Sequence, residues 1–152
     1  PRDVAAQPPP RAATWFHVLL HVGELLRKLP AAIHWYLNKV TFPAYMQAHG
    51  YRIIPVNPKL SRVLEVDAYP SLVQIPTAFH PVDIINLFRA SEHLPAHVDE
   101  ILALPKRPRV VWTQLGIHHG PSAQRLRDVG ITVIQDRCIM VDHRQLLSNS
   151  SP

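Results

Sequence analysis

Residues 43–59, PAYMQAHGYRIIPVNPK, place a helix immediately before a strand and a turn. Pro43 suits the first turn of a helix, where its missing N–H is not needed, and Gly50 suits the left-handed position that ends one. Residues 51–56 are then rich in side chains that favour strands, and the dipeptide that follows them, Asn57-Pro58, is a turn signal. This stretch predicts a helix that leads into a buried strand.

The same pattern continues towards the C-terminus. Residues 82–88 are almost continuously apolar, as expected of a parallel strand that helices cover on both faces. Pro95 and Pro121 can each open a helix, and Gly130 can end the second one. Strands are predicted at residues 51–56, 82–88, 110–115 and 131–134. Helices that alternate with short buried strands predict an α/β fold with a parallel sheet.

The N-terminal third is harder to interpret. Residues 1–13 contain three consecutive prolines and are read as a flexible Pro-rich tail, which leaves residues 43–148 as the main domain. Residues 14–42 form an atypical segment with two interpretations. Apolar side chains at helical spacing predict a helix from Thr14 to Leu29, whereas residues 18–22 followed by Gly23 suit the first strand of the sheet and its turn.

Composition limits the class of protein. A chain of 152 residues with 47% apolar content is expected to form one domain, and its single cysteine excludes a disulfide framework and a CxxC site. We therefore expect a cytoplasmic protein. No apolar run is long enough to span a membrane. Residues 1–42 carry much of the +5 formal charge, so nucleic-acid binding by the main domain is disfavoured.

Ligands of parallel α/β sheets bind outside the carboxyl ends of the strands, and candidate residues follow each predicted strand. They lie in four segments: residues 55–59, 87–89, 114–117 and 136–139. Each has a purely structural alternative as well. Asn57-Pro58 is a good turn former in any protein, Lys59 and Arg89 suit the surface, and Phe88 suits the core.

The chain resembles the YccU-type CoA-binding family, a group of bacterial Rossmann-like proteins related to the nucleotide domain of the succinyl-CoA synthetase α-subunit. The resemblance is carried by six blocks in order: residues 45–58 (YMQAHGYRIIPVNP), 68–72 (AYPSL), Val82-Asp83, Phe88-Arg89, 114–116 (QLG) and 136–139 (DRCI). It implies a Rossmann-like parallel sheet of about five strands flanked by helices. It also implies that CoA lies along the carboxyl edge of the sheet.

The resemblance assigns roles to individual residues. Asn57, Pro58 and Lys59 would lie beside the adenosine phosphates, with Lys59 as a mobile point charge. Phe88 would offer an apolar wall to the nucleotide, and Arg89 would offer paired donors to a phosphate group. Gln114, Leu115 and Gly116 would approach the pantetheine end, where Gly116 allows close contact with the backbone.

One part of the chain departs from the family. The family begins with a strand and a Gly-Leu-Ser type turn that supplies backbone donors to the pyrophosphate, and residues 14–42 do not match this pattern. If Gly23 is the turn glycine, Glu24 follows it and would repel a phosphate group. The state of the first βα unit therefore decides whether the phosphate site is complete.

No catalytic apparatus is evident, so we expect a binding module for CoA or acyl-CoA rather than an enzyme. Cys138 beside Arg137 could be a reactive thiol, but free cysteines are usually packed in the core. His118, His119 and His143 lack the spacing of a metal site. Two alternatives remain open. They are a domain that binds NAD, for which the five glycines never form GxGxxG, and a scaffold that engages a protein partner through its N-terminal segment.

Overall fold

The computed structural model describes residues 14–18 and 42–149. The described α-helices are α1 (Phe42–Ala48), α2 (Leu94–Leu102), α3 (Gly120–Asp128) and α4 (Ile139–Asn149). The described strands are β1 (Thr14–Val18), β2 (Arg52–Val56), β3 (Arg62–Val63), β4 (Val66–Asp67), β5 (Ile84–Leu87), β6 (Val110–Thr113) and β7 (Thr132–Ile134). Short 3-10 turns occur at Leu72–Gln74, Thr77–Phe79 and Ser91–His93.

The main sheet has five strands in the order β2-β1-β5-β6-β7, and all of its pairings are parallel. The prediction of a parallel, helix-flanked sheet of about five strands is thus confirmed. After β1 the chain first adds β2 on one side and later adds β5 on the other. This reversal makes a switch point at the carboxyl ends of β1 and β5, where ligands of such sheets bind.

The helical interpretation of the N-terminal segment is wrong for Thr14–Val18, which form strand β1. Trp15 pairs with Ile53 of β2 and with Ile84 of β5, so β1 occupies an interior position in the sheet. The alternative, a first strand of the sheet, is correct in the type of element. The predicted strand at residues 18–22 begins four residues later than the observed one. A short apolar run has no feature that separates helix from strand without its neighbours. Residues 19–41, including Gly23 and Glu24, lie outside the described residues, as does the tail 1–13.

Side chains of a strand point alternately to the two faces of the sheet, and a separate hydrophobic core lies on each face. Ile54, Ile85 and Val111 face α2 and α3, and Val98 and Leu126 of those helices pack against them. The opposite core contains five buried side chains: Phe42, Met46, Ile53, Trp112 and Ile139. Burying an apolar side chain of this size stabilises the folded state by roughly 1.5–3 kcal/mol relative to leaving it exposed. The helices on both faces are therefore needed to bury the side chains of the sheet.

The connection after β2 forms a two-stranded hairpin, β3 and β4, that the sequence did not predict. Its turn residues Leu64 and Glu65 both have positive φ. Beyond the hairpin, Tyr69 accepts from the Asn57 N–H at 2.8 Å and donates to Pro55 at 3.0 Å through its backbone. This pairing covers the outer edge of β2, which would otherwise expose unpaired backbone groups.

Helix α4 was also not predicted, and an aromatic cluster holds it against α1 and β2. His143 Nδ1 lies 2.9 Å from the Tyr45 hydroxyl, and His143 Nε2 lies 3.0 Å from the Tyr51 hydroxyl. Burial lowers the pKa of His143, and the nearby His49 lowers this pKa by a smaller amount. The imidazole is therefore neutral in the folded protein near neutral pH and joins three elements.

No helix in the described ranges, residues 14–18 and 42–149, is long and apolar enough to cross a bilayer.

We expect Gly130→Ala to lower the free energy of unfolding by about 1–2 kcal/mol, because Gly130 has a φ of +84° that L-residues adopt at a cost. Gly120→Ala is the matched control. A Cβ at either glycine meets no atom within 4 Å, but Gly120 lacks the positive φ. Urea denaturation of both variants measures the difference, and an equal effect of the two substitutions would contradict the prediction.

His143 should make the fold less stable in acid. Its folded pKa lies below the ordinary value of 6.5, so the unfolded chain takes up the proton first as the pH falls. The contribution is therefore present above about pH 6.5 and is lost as the pH falls towards the lowered pKa. We expect wild type to lose stability between about pH 7 and pH 5 more steeply than His143→Gln, in urea titrations at each pH. Parallel pH profiles would rule this out.

Candidate functional site

The eight sequence-predicted site residues lie at the carboxyl edge of the sheet, in the connections after β2, β5 and β6. Strand β1 lies between β2 and β5, so the connections after those two strands are separated by one strand. With neighbouring strands roughly 4.8 Å apart, the ends of β2 and β5 are roughly 10 Å apart. This spacing brings the two basic residues, Lys59 and Arg89, to the same edge of the sheet.

The segment after β2 is shaped by Asn57. Its side chain is only 4% exposed, and its Oδ1 accepts from the Lys59 N–H at 2.8 Å. This is an Asx turn, in which the side chain replaces a backbone acceptor. The turn holds Pro58 and Lys59 at the surface. Asn57 therefore has a structural role, and its predicted contact with a ligand stays a prediction.

The segment after β5 carries two residues that face different environments. Phe88 packs against Phe42 with ring centroids 5.6 Å apart, so its ring belongs to the core on the α1 side. Arg89 is partly exposed, yet its Nε and Nη1 atoms are buried. Neither atom has a hydrogen-bond partner among the described residues. Burial also lowers the pKa of Arg89, which remains charged because arginine titrates far above neutral pH.

Buried guanidinium nitrogens without partners are unusual, because each loses its hydration and gains nothing in return. They are expected where an anionic ligand supplies the acceptors. No ion pair joins Arg89 to a carboxylate within the described part of the chain. Among the residues that the structure describes, Arg89 thus has no acidic partner beside the switch point.

A buried amide pair lies at the same edge. Gln114 Nε2 donates to Asn86 Oδ1 at 2.8 Å, and both side chains are buried. Asn86 Nδ2 is buried too and has no hydrogen-bond partner among residues 14–18 and 42–149. The Gln114 side chain is therefore engaged within the protein. Its predicted approach to pantetheine remains a prediction.

The connection after β6 is tied to the connection after β7. Gly116 has a φ of +80°, and its N–H donates to Asp136 Oδ1 at 2.6 Å. Thr113 Oγ1 donates to the Ile117 carbonyl at 2.6 Å and accepts from the Asp136 N–H at 3.3 Å. Leu115, which is 69% exposed, projects from this rigid loop. The Gly116 N–H is thus committed to Asp136, whereas Leu115 is available for an apolar contact.

Two buried polar residues, Asn86 and His97, were not predicted from the sequence. Asn86 interrupts the otherwise apolar strand β5, and a lone buried amide in such a strand is a signal that a polar partner is required. His97 falls between Leu94, Val98 and Ile101 on the buried stripe of α2 and is only 6% exposed. The spacing of that stripe could have identified it.

The thiol and imidazole candidates have structural contacts of their own. Arg137 pairs with Asp142 at 2.8 Å, so its charge is shared with a carboxylate near Cys138. His119 Nδ1 accepts from the Ser122 N–H at 3.2 Å and so caps α3, and His143 is held by Tyr45 and Tyr51. Among the residues that the structure describes, no three metal-ligating side chains come together.

A small cavity lies beneath the edge, between β5, β6, α2 and α3. Its volume is about 10 Å³, and its polar lining comes from Thr113, Ser122 and Gln135. This is about the space of a single water molecule. The cavity cannot accept any part of a nucleotide, so a large ligand would lie across the carboxyl edge rather than inside the core.

The doubly wound parallel sheet, with Arg89 after β5 beside its switch point, has the architecture of α/β proteins whose ligands lie at the carboxyl ends of the strands. The family model described as "CoA binding domain" matches residues 39–144, and the chain belongs to this family. The match covers every described element from β2 to β7. It therefore includes the loops that carry all eight predicted site residues.

The chain is also similar to individual proteins of known sequence or structure. The chain is 44% identical over 98 residues to the uncharacterized protein YneT of Bacillus subtilis (strain 168), which covers 64% of this chain and 69% of YneT. Among solved structures, cell-free ID.343 from Thermus thermophilus is 35% identical, with a TM-score of 0.69 and coverage of 89% of this chain and 90% of that one. A hypothetical protein from Pyrococcus horikoshii OT3, 24% identical, shares the fold at a TM-score of 0.67 over 88% and 82% of the two chains.

We expect Arg89→Met to raise the free energy of unfolding of the ligand-free protein by about 1 kcal/mol, because an apolar side chain of similar length replaces two buried nitrogens that have no hydrogen-bond partner among the described residues. Arg107→Met is the control: Arg107 is exposed, precedes β6, and should change stability by less than about 0.5 kcal/mol. Urea denaturation measures both. A clear loss of stability in Arg89→Met would show that Arg89 is paired within the protein.

Proposed function

We propose that this protein binds CoA or acyl-CoA across the carboxyl edge of its sheet, with Arg89 as the anchor for a phosphate group. The observation that carries the proposal is that the buried Nε and Nη1 of Arg89, beside the switch point, have no hydrogen-bond partner in residues 14–18 and 42–149. Membership of the CoA-binding domain family supports the identity of the ligand.

The residues at the edge fit a phosphate-bearing ligand. Arg89 can donate two parallel hydrogen bonds to a phosphate, and charge-assisted bonds of this kind are about twice as strong as neutral ones. Lys59 is exposed on the Asn57 turn one strand away and can add a mobile positive charge. Leu115 would offer an apolar surface to the pantetheine arm. Asn57, Phe88 and Gln114, which lie close in sequence to Lys59, Arg89 and Leu115, each make an uncharged contact within the fold.

We further propose that the protein binds its ligand without transforming it, in the cytoplasm. The side chains that could act as nucleophile or base, Cys138, His119 and His143, lie in or beside contacts that stabilise helices. General acid–base catalysis needs a titratable group within hydrogen-bond reach of the reacting atom. The single cysteine is in keeping with a reducing compartment.

Calorimetric titration with CoA tests the proposal, with NAD as the control ligand. We expect saturable CoA binding and roughly 10- to 100-fold weaker affinity in Arg89→Met, which corresponds to the loss of charge-assisted hydrogen bonds worth about 1.5–3 kcal/mol. Lys59→Met should weaken binding severalfold and reduce its dependence on salt, because its contribution is a screened point charge.

The charge-matched control is Arg107→Met, which removes an exposed arginine that donates to Val129 O instead of facing the carboxyl edge. It should bind CoA as wild type does. No binding at millimolar CoA by a demonstrably folded chain would refute the proposal. Equal or tighter binding of NAD would favour the dinucleotide alternative, and an unchanged affinity in Arg89→Met would remove Arg89 from the site.

A further inference from the structure

Basic side chains cluster at the amino edge of the main sheet, the edge opposite the one that carries Arg89. Three of them lie in the loop that enters β6, and the fourth lies in the last turn of α3. None of the four forms an ion pair within residues 14–18 and 42–149. The residues of this amino-edge surface, all exposed, are Lys106, Arg107, Arg109 and Arg127.

Contacts between the loop before β6 and the chain before β7 bring these charges together. Arg107 Nη1 donates to the Val129 carbonyl at 3.5 Å. The Thr132 N–H donates to the Arg109 carbonyl at 3.1 Å. The entrances to β6 and β7 therefore lie side by side, and their basic side chains belong to one continuous surface.

Two carboxylates belong to the same part of the molecule. Asp83 precedes β5, and its backbone carbonyl accepts from the Arg109 N–H at 2.9 Å. Asp128 ends α3 and accepts from Gln124 Nε2 at 2.7 Å. The four positive charges outnumber these two negative charges, so the amino-edge surface is net positive. A basic residue in the last turn of α3 also compensates the helix dipole, but residues 106–109 belong to no helix.

Strand β7 adds backbone groups to this surface. It is the last strand of the main sheet, and no described strand pairs with its outer side. The Thr132 N–H points towards β6, and alternate residues of a strand direct their backbone groups to opposite sides, so Val133 directs its own outwards. The Val133 carbonyl accepts only a long bond, 3.4 Å, from Nη2 of the exposed Arg127. A second polypeptide can therefore pair with this edge.

The two features together define the chemistry of a partner. Backbone groups at a strand edge pair with the backbone of another polypeptide, which adds as a further strand. Guanidinium groups bind carboxylates through paired hydrogen bonds. Single-stranded nucleic acids instead need exposed aromatic side chains for stacking, and no Phe, Tyr or Trp between residues 42 and 149 is exposed. An acidic polypeptide fits this surface better than a nucleic acid.

We infer that the amino edge is a docking surface for an extended acidic segment of a partner protein, which adds alongside β7. Its carboxylates bind Arg107, Arg109 and Arg127. As the segment docks, Arg127 turns from the Val133 carbonyl to a carboxylate of the partner, and that carbonyl accepts from a partner N–H instead. The inference goes beyond the proposed function, because it concerns the opposite edge of the sheet and does not involve the CoA site.

Fluorescence anisotropy of the full chain tests the inference. The probe is a labelled acidic peptide of about ten residues, alternating Glu and Thr, because strands of this length pair with sheet edges and Thr favours them. The comparison probe is an oligodeoxythymidine strand of equal charge. Binding is measured at about 50 mM and about 300 mM salt, since exposed charges are screened at the higher value.

The key variant is Arg107→Gln/Arg109→Gln. The control, Arg137→Gln/Arg144→Gln, removes the same net charge from two exposed arginines outside the amino-edge surface. We expect the key variant to bind the peptide roughly tenfold more weakly than wild type at low salt, and the control to stay within about twofold. Both variants should bind CoA as wild type does, so the result is independent of the proposed function.

NMR of wild type measures the same contact without any substitution. We expect the acidic peptide to shift the amide signals of residues 106–109 and 127–133. The Val133 N–H should also become protected from hydrogen exchange, because it pairs with the added strand. This measurement keeps the inference testable if the double variant does not fold.

Several results would overturn the inference. An equal loss of affinity in the two double variants would show that net charge alone governs binding. Equal or tighter binding of the oligodeoxythymidine strand would make the surface one for nucleic acids. Amide shifts confined to residues outside the amino-edge surface, or no peptide binding by a folded chain at low salt, would also contradict it.

Discussion

Strand β1 hydrogen-bonds in parallel to β2 on one side and to β5 on the other, and the two halves of the main sheet are joined through it. If β1 were displaced, β2 would lose its place in the sheet, and the core that Ile53 shares with Phe42 and Met46 would open. The same pairing fixes the register of the strand ends. Val18 pairs with Val56 and with Leu87, so the turn of Asn57 and the loop of Arg89 leave the sheet at one level.

The fold could be predicted where one segment carries its own signal. The buried strands β2, β5 and β6 are continuous apolar runs, and prolines and glycines mark the helices between them. Strand β1 was assigned partly to a helix because Thr14–Val18 is short and its neighbours on both sides come from distant parts of the chain. Helix α4 was missed because its docking depends on His143 and on tyrosines more than 90 residues earlier in the chain.

The features of the candidate site likewise divide into those that a local sequence pattern predicts and those that depend on distant residues. The end of a buried strand locates Lys59 and Arg89, so their common edge could be predicted from local pattern together with the topology of parallel sheets. The pairing of Asn86 with Gln114, the commitment of the Gly116 N–H to Asp136, and the absence of a described partner for Arg89 could not. Each depends on which side chain of another element lies opposite, and no periodicity along a single segment contains that information.

Arg89 also has a consequence for how related sequences should diverge. Asn57, Phe88 and Gln114 make contacts that stabilise the folded chain whether or not a ligand is present, so mutational drift at those positions is opposed in every family member that folds. Arg89, whose buried Nε and Nη1 have no hydrogen-bond partner among the described residues, gives the free protein no contact of this kind through those atoms, and selection for stability alone would replace it. Retention of arginine at this one position would therefore mark lineages in which ligand binding is still under selection, even where the rest of the site is preserved.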